Sequence, residues 1–231
     1  MSSSCTKRRK DPTRKTAKVA IIVDKIRLAY FPSPKVACTS VKYMFYKLEN
    51  GRDFVDGIRN STMFHIHSYY GSSPFSAAPL DRLAAHERIC IVRDPIKRFL
   101  SCYSNRVLFH RELSEHHLSP EAIAAGAVPD PSLKIFTERL NIYRKHSSSI
   151  RHHTDPQTHF IGPDPKFYSK IYQMGNLDEL ASDLSLKSGI ELDLPHAQNG
   201  GEKINPRELS ADLLDRIREF YRKDYEAYNF V

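Results

Sequence analysis

Two short stretches of this sequence gather residue types suited to gripping an anion. In the first, Lys35-Val36-Ala37-Cys38-Thr39-Ser40 lies between an aromatic, β-branched run and a helical pattern. Backbone amides at a helix start, two hydroxyls and one ammonium therefore converge, an arrangement that binds phosphate. It is not a Walker A loop, whose GxxxxGK followed by Ser or Thr needs glycines this one lacks. In the second, Arg93 closes an apolar run and Ser101 follows about two turns into the next helix, a separation that lets both approach one anion from the same side.

Between the two stretches lies FHIHSYY. Read as the end of a strand over 62–67, it places His65 and His67 on one face, with one of them pointing at the anion site. Imidazole is the side chain best suited to take a proton near neutral pH. A second His-rich stretch holds His152, His153 and His159 around Pro156 and Gln157. No Cys or carboxylate completes a tetrahedral set there, so it reads as an exposed or acceptor-facing loop rather than a metal centre. Asp94, followed by Pro95, reads as a helix cap rather than a Mg²⁺ ligand.

The elements that must carry these residues follow from hydrophobic periodicity. Residues 19–23 and 27–31 are predicted as neighbouring strands, 62–67 and 88–93 as two more, and 170–174 as a late one. The run RICIVR is continuously apolar between its arginines, as in a strand buried on both faces. Val41, Met44, Phe45 and Leu48 have helical spacing up to Asn50 and Gly51, and Ile96, Phe99, Leu100, Tyr103 and Val107 repeat it. Further helices are expected over 133–143, 177–186 and 207–225, the last capped by Asn205 and Pro206. Residues 114–131 read as a loop or short helix and 146–160 as irregular. Strands feeding helices make an open α/β sheet, which collects ligands beyond the carboxyl ends of its parallel strands.

At 231 residues the chain fits one α/β domain over 19–231, preceded by a flexible basic arm over 1–18. The net charge of +8 attracts nucleic acid, anionic membranes and small anions alike. No nucleic-acid module is recognisable, and no apolar run approaches the roughly 20 residues that span a bilayer. The four cysteines, Cys5, Cys38, Cys90 and Cys102, lack metal-ligand spacing and read as reduced thiols of a cytoplasmic protein. An anchor preceding the arm would instead place the chain in the Golgi lumen.

Taken together, PKVACTS and VRDPIKRFLSCYSN resemble the two donor-binding motifs of sulfotransferases that use 3′-phosphoadenosine 5′-phosphosulfate (PAPS), in the membrane-bound carbohydrate branch. The resemblance implies that Lys35, Val36, Ala37, Cys38, Thr39 and Ser40 hold the 5′-phosphosulfate and that Arg93 and Ser101 hold the 3′-phosphate. DPQTHFIG, YSKIYQMGNLDEL, PHAQNGGEK and FYRKDYEAYNF are similar to later family segments, PHAQNGGEK to the loop that covers the donor, so the likeness spans about 27–231. Gly175 stands where the family commonly has an acidic residue, and a basic stretch stands where it has a membrane anchor. HIH resembles the HxH of uronyl 2-O-sulfotransferases, which implies His67 as the base and His65 as its support.

The family likeness implies a P-loop-like α/β fold of three layers, a central mostly parallel sheet flanked by helices, and no metal. The expected reaction moves a sulfuryl group from PAPS to a hydroxyl of a saccharide or glycolipid, leaving PAP (3′-phosphoadenosine 5′-phosphate). Lys35 would stabilise charge at the transferring oxygens and neutralise the leaving phosphate, and a histidine would take the acceptor proton. A P-loop-type phosphotransferase is the alternative enzyme, and a basic polyanion-binding protein the non-catalytic one.

Overall fold

The computed structural model describes residues 19–59, 61–194 and 200–230. In chain order the elements are β1 (Ile21–Val23), β2 (Leu28–Phe31), α1 (Cys38–Asn50), β3 (Gly57–Arg59), β4 (Thr62–Phe64), α2 (Ile66–Tyr69), α3 (Leu80–Leu83), β5 (Glu87–Val92) and α4 (Pro95–Cys102). A π-helical stretch, Tyr103–Phe109, extends α4, and then come α5 (Pro120–Ala124), α6 (Leu133–Glu138), α7 (Leu140–His146), α8 (Ser148–Thr154) and α9 (Gln157–Ile161). The chain continues through β6 (Lys170–Gln173), α10 (Leu177–Ser188), α11 (Ala211–Phe220) and α12 (Arg222–Ala227). The basic arm over 1–18 and the first part of the PHAQNGGEK loop lie outside the described residues.

Four strands form the central sheet in the order β1-β2-β5-β6, with β5 parallel to both its neighbours and β1 antiparallel at the edge. Alternation along the strands sends Leu28, Tyr30, Ile89 and Ile91 to one face, under Val41, Met44, Phe45 and Leu48 of α1 and Leu180 and Leu184 of α10. Ala29, Phe31, Cys90 and Val92 go to the other, with Phe160 and Ile161 of α9 and Tyr228. Both faces of β2 and β5 are thus covered, giving the expected P-loop-like three-layer α/β architecture. Each large apolar side chain so buried contributes about 1.5–3 kcal/mol. A separate cluster joins Ile96, Phe99 and Leu100 of α4 to Phe136, Tyr143, Ile217 and Tyr221.

This topology sets up the site. Phe31 of β2 pairs with Cys90 of parallel β5, so the segments following the two strands leave the same sheet edge. One leads to α1 and the other to α4.

Four local expectations are corrected. The strand expected over 62–67 stops at Phe64, and His65 instead caps the short helix α2. Residues 146–160 are not irregular: Ser147 accepts from the Ile150 amide to start α8, Asp155-Pro156 ends it, and α9 follows. With only seven residues, α8 is too short to show a period, and its cap is hidden in a run of serines. The helix expected over 133–143 breaks at Arg139. The last helix starts at Ala211 under a Ser210 cap, because Asn205 caps a separate 3-10 turn, Pro206–Glu208, and it breaks again at Tyr221.

Candidate active site

The loop after β2 solves without glycine a problem that usually requires it. Lys35 and Ala37 both take positive φ, 65° and 58°, a left-handed conformation that costs a residue with a Cβ about 1–2 kcal/mol. The fully buried Val36 side chain pins the loop between them. Ala37 is the N-cap of α1 and supplies no side-chain bond to the helix start. The first-turn amides of a 13-residue helix therefore face the site with the positive end of the helix dipole. Cys38 and Ser40 turn inward and are buried, so of the two expected hydroxyls only that of Thr39 reaches the cleft.

Five cationic side chains surround this loop. Lys35 Nζ donates to Asn105 Oδ1 at 2.8 Å, and burial, with Arg106 and Arg93 nearby, presses its pKa down to about 8. Arg93 sends Nη1 to the Lys35 carbonyl oxygen at 3.0 Å, joining the two strand ends directly. Arg98 is fully buried and donates Nε to the Pro34 carbonyl at 2.9 Å, while Nη1 and Nη2 have no partner. Lys42 is also fully buried. Arg106 pairs with Glu112 at 3.0 Å, but among the described residues Lys35, Lys42, Arg93 and Arg98 are in no ion pair. Lys35, Arg93 and Arg98, three cations without a counter-ion at one sheet edge, suit a multiply charged anion.

His67 sits on the loop side of this cluster. Its Nε2 is 2.8 Å from Thr39 Oγ1 and its Nδ1 is 3.0 Å from Lys42 Nζ. The residue keeps a solvent-exposed edge, yet the protein packed about its ring, together with Lys42, His65, Arg106 and His152, pushes the imidazole down to about 3. His65 stacks on it with centroids 5.2 Å apart. The His65 Nδ1 accepts from the His67 amide at 3.3 Å, so the neutral ring carries its proton on Nε2, 3.2 Å from the Tyr43 hydroxyl. That hydroxyl donates to Asp56 at 2.5 Å. Both His65 nitrogens are thereby occupied in holding α2 against α1. The two histidines do come together as the sequence suggested, through a helix cap rather than through strand alternation.

The structure also places residues that sequence reasoning left without a role. Thr39, Lys42 and Tyr43 share one face of α1 at positions i, i+3 and i+4, and each touches a histidine; that spacing was visible in the sequence. Asn105 reaches Lys35 from the π-helical stretch, a kind of distortion frequent at functional sites, and its Nδ2 donates to the Gly200 carbonyl at 3.1 Å. Gly201 lies so close that a Cβ would stand 2.7 Å from the Ser104 carbonyl oxygen. The Gly-Gly pair of PHAQNGGEK therefore lies directly on the residues beside Lys35. Gln157 bridges both backbone groups of Arg93.

Other candidates fall out differently. Ser101 lies half-buried on α4 two turns beyond Arg93, with no hydrogen bond joining them among the described residues. Asp94 caps α4 by accepting from the Lys97 amide at 2.8 Å and also accepts from Tyr225. His153 donates Nδ1 to the Ser149 carbonyl, and burial beside Arg106 brings its pKa down to about 3. His152, lowered by burial and by Lys42, packs edge-on against Phe160. Among the described residues no three His, Cys, Asp or Glu groups are gathered as metal ligands. Arg106, Arg111 and Arg144 pair with Glu112, Asp130 and Asp155.

The mostly parallel α/β sheet carries, on adjacent strand ends, a left-handed lysine loop and an arginine that together give the start of α1 a cationic surround. The family comparison gives that arrangement its identity: the model described as "Sulfotransferase family" matches residues 18–231, and the chain belongs to this family. It is a sulfotransferase enzyme. No curated protein and no solved structure matches it. No helix among the described residues is long and apolar enough to cross a membrane.

Proposed function

We propose that this sulfotransferase uses PAPS as donor and sulfates a hydroxyl of a saccharide or glycolipid, with His67 as general base and without a metal. The observation that carries the reading is the 2.8 Å approach of His67 Nε2 to Thr39 Oγ1 at the helix start beside Lys35. A proton acceptor and an ammonium thus flank the place where an anion would lie.

The residues present suit the donor. Backbone amides at 36–40 and the Thr39 hydroxyl would hold the 5′-phosphosulfate, and Arg93 and Ser101 the 3′-phosphate. The unpartnered Nη1 and Nη2 of Arg98 and the unpaired Lys35 and Arg93 are the features that favour so highly charged a group. In transfer, Lys35 stabilises charge on the leaving phosphate and His67 removes the acceptor proton. A sulfuryl group carries less negative charge than a phosphoryl group, so less cationic neutralisation is required. Cys38, Cys90 and Cys102 are free, in keeping with a proposed cytoplasmic location.

The test is transfer of labelled sulfate from PAPS to a panel of glycans and glycolipids, paired with calorimetry of PAP binding in Mg²⁺-free buffer. His67→Ala is expected to keep PAP affinity and to lose transfer by about 10²–10⁴-fold. Near-normal turnover in that variant would remove His67 from the mechanism. Wild-type protein giving no heat with PAP would remove the donor.

A further inference from the structure

We propose that Lys42 is the positioning residue of this site: it selects the tautomer of His67 and receives, through the imidazole, the proton that Nε2 takes from the acceptor hydroxyl. This rests on the reading of His67 as base and adds to it a residue and a proton path.

The geometry carries the argument. Among the described residues Lys42 Nζ has two hydrogen-bond partners, His67 Nδ1 at 3.0 Å and Ser72 Oγ at 3.1 Å. An ammonium only donates. While Lys42 is charged, Nδ1 must offer its lone pair, and the neutral ring carries its proton on Nε2, where it points at Thr39 Oγ1, 2.8 Å away. In that form Nε2 cannot take a proton. When Lys42 is a neutral amine its lone pair accepts Nδ1–H, and Nε2 turns a free lone pair to the cleft. The base at Nε2 therefore exists only beside a neutral Lys42.

The surroundings offer the ammonium no counter-charge. Lys42 is fully buried and has no carboxylate partner among the described residues. The groups facing the pair are Cys38 on its own helix, His65 and Ser72 on the α2 side, Arg106 from the π-helical stretch and His152 from α8. None of them is a carboxylate. Burial lowers the pKa of Lys42 and that of the imidazole, so the ring holds a second proton only weakly. A proton arriving at Nε2 must move on, and Nδ1–H facing Nζ at 3.0 Å is the path.

The step balances. The acceptor oxygen forms a bond to sulfur as the bond from sulfur to the 5′-phosphate oxygen breaks, the electron pair staying on the phosphate. The hydroxyl proton goes to Nε2, the Nδ1 proton goes to Nζ, and Lys42 ends as an ammonium beside an Nε2–H imidazole. Loss of the Nε2 proton to solvent from the exposed His67, with return of one proton from Nζ to Nδ1, restores the Nδ1–H imidazole beside a neutral Lys42.

Two measurements on the full chain test this. In ¹⁵N spectra of wild-type protein, His67 should show the Nε2–H tautomer at lower pH and pass to Nδ1–H as pH rises through a midpoint below that of an ordinary lysine. A single tautomer throughout would overturn the proposal without reference to activity. In kinetics, Lys42→Arg, a donor only, should lose about 100-fold or more in kcat with PAP affinity within about twofold. Lys42→Gln, whose amide oxygen can accept Nδ1–H, should keep more activity than Lys42→Arg and lose the rise in kcat with pH that deprotonation of Lys42 produces. Wild-type kcat and pH profile in both variants would sink the idea, whereas failure of wild-type protein to bind PAP or transfer sulfate would strike the functional reading instead.

Discussion

Gln157 holds the strand end that carries Arg93 from both sides: its Oε1 accepts from the Arg93 amide at 2.9 Å and its Nε2 donates to the Arg93 carbonyl at 2.8 Å. Gln157 is itself fixed, since its amide donates to the buried Asp224 carboxylate at 2.7 Å and that of Thr158 to the other oxygen at 2.8 Å. The C-terminal helix α12 thereby sets the position of a guanidinium on the far side of the sheet edge.

Gln157→Leu leaves two backbone groups of Arg93 without partners. At about 1–3 kcal/mol for each unsatisfied buried group, the loss should be about 2–6 kcal/mol in denaturant unfolding, with weaker PAP binding in whatever remains folded. Gln157→Glu keeps the acceptor but not the donor and should recover only part. A variant with wild-type stability would show that the clamp is not needed.

Asn105 Oδ1 accepts from the half-buried ammonium of Lys35 at 2.8 Å. With its pKa near 8, Lys35 loses its charge as pH rises through that value, and kcat/KM should fall with it. Asn105→Asp puts a carboxylate 2.8 Å from Nζ in place of the amide oxygen, which raises the Lys35 pKa and moves the fall to higher pH. The same carboxylate repels an anionic donor, so PAP affinity should drop by about tenfold or more, roughly 1.4 kcal/mol. An unmoved pH profile would mean that Lys35 does not set it.

The sequence already displayed the parts of this site whose signal is local. Lys35, Thr39 and Arg93 could be found because strand runs and helix starts are short-range patterns, and Asp94-Pro95 announced its cap. What could not be read was long-range. Asn105 and Gln157 acquire roles only because the π-helical stretch and α9 return to the same sheet edge, across separations of 70 and 64 residues. Arg98 stands between Lys97 and Phe99, and nothing local indicates that it is buried whole. The HxH pair was legible as a pair but not as a helix cap, because three strand-like residues, Thr62 to Phe64, run directly into it.

Ala37 tests whether the loop pays a conformational penalty for its lack of glycine. At φ 58° and ψ 24° a glycine is unstrained, though it adds about 0.5–1 kcal/mol of unfolded-state entropy. Set against the 1–2 kcal/mol of relieved strain, Ala37→Gly should be neutral or stabilising by about 1 kcal/mol. Ala37→Val adds a β-branch in the same conformation and should destabilise, with loss of PAP affinity as α1 shifts. Equal unfolding midpoints for the two variants would contradict the left-handed assignment.

Acid should weaken the fold through His67 and His153. Both are held at about 3 in the folded chain, against about 6.5 when unfolded. Between those values the unfolded chain binds more protons than the folded one, so stability rises with pH across the window and is progressively lost as pH falls from 6.5 towards 3. Above 6.5 neither group contributes a slope. His153→Gln removes one of the two protons without touching the His67 contacts and should flatten the dependence of unfolding free energy on pH between 6 and 4. Since His153 also donates Nδ1 to the Ser149 carbonyl, the glutamine variant should be slightly less stable at pH 7 and lose less on acidification. If the two proteins lose stability in parallel down to pH 4, His153 is protonated in the fold, and the cationic surroundings assigned to it are wrong.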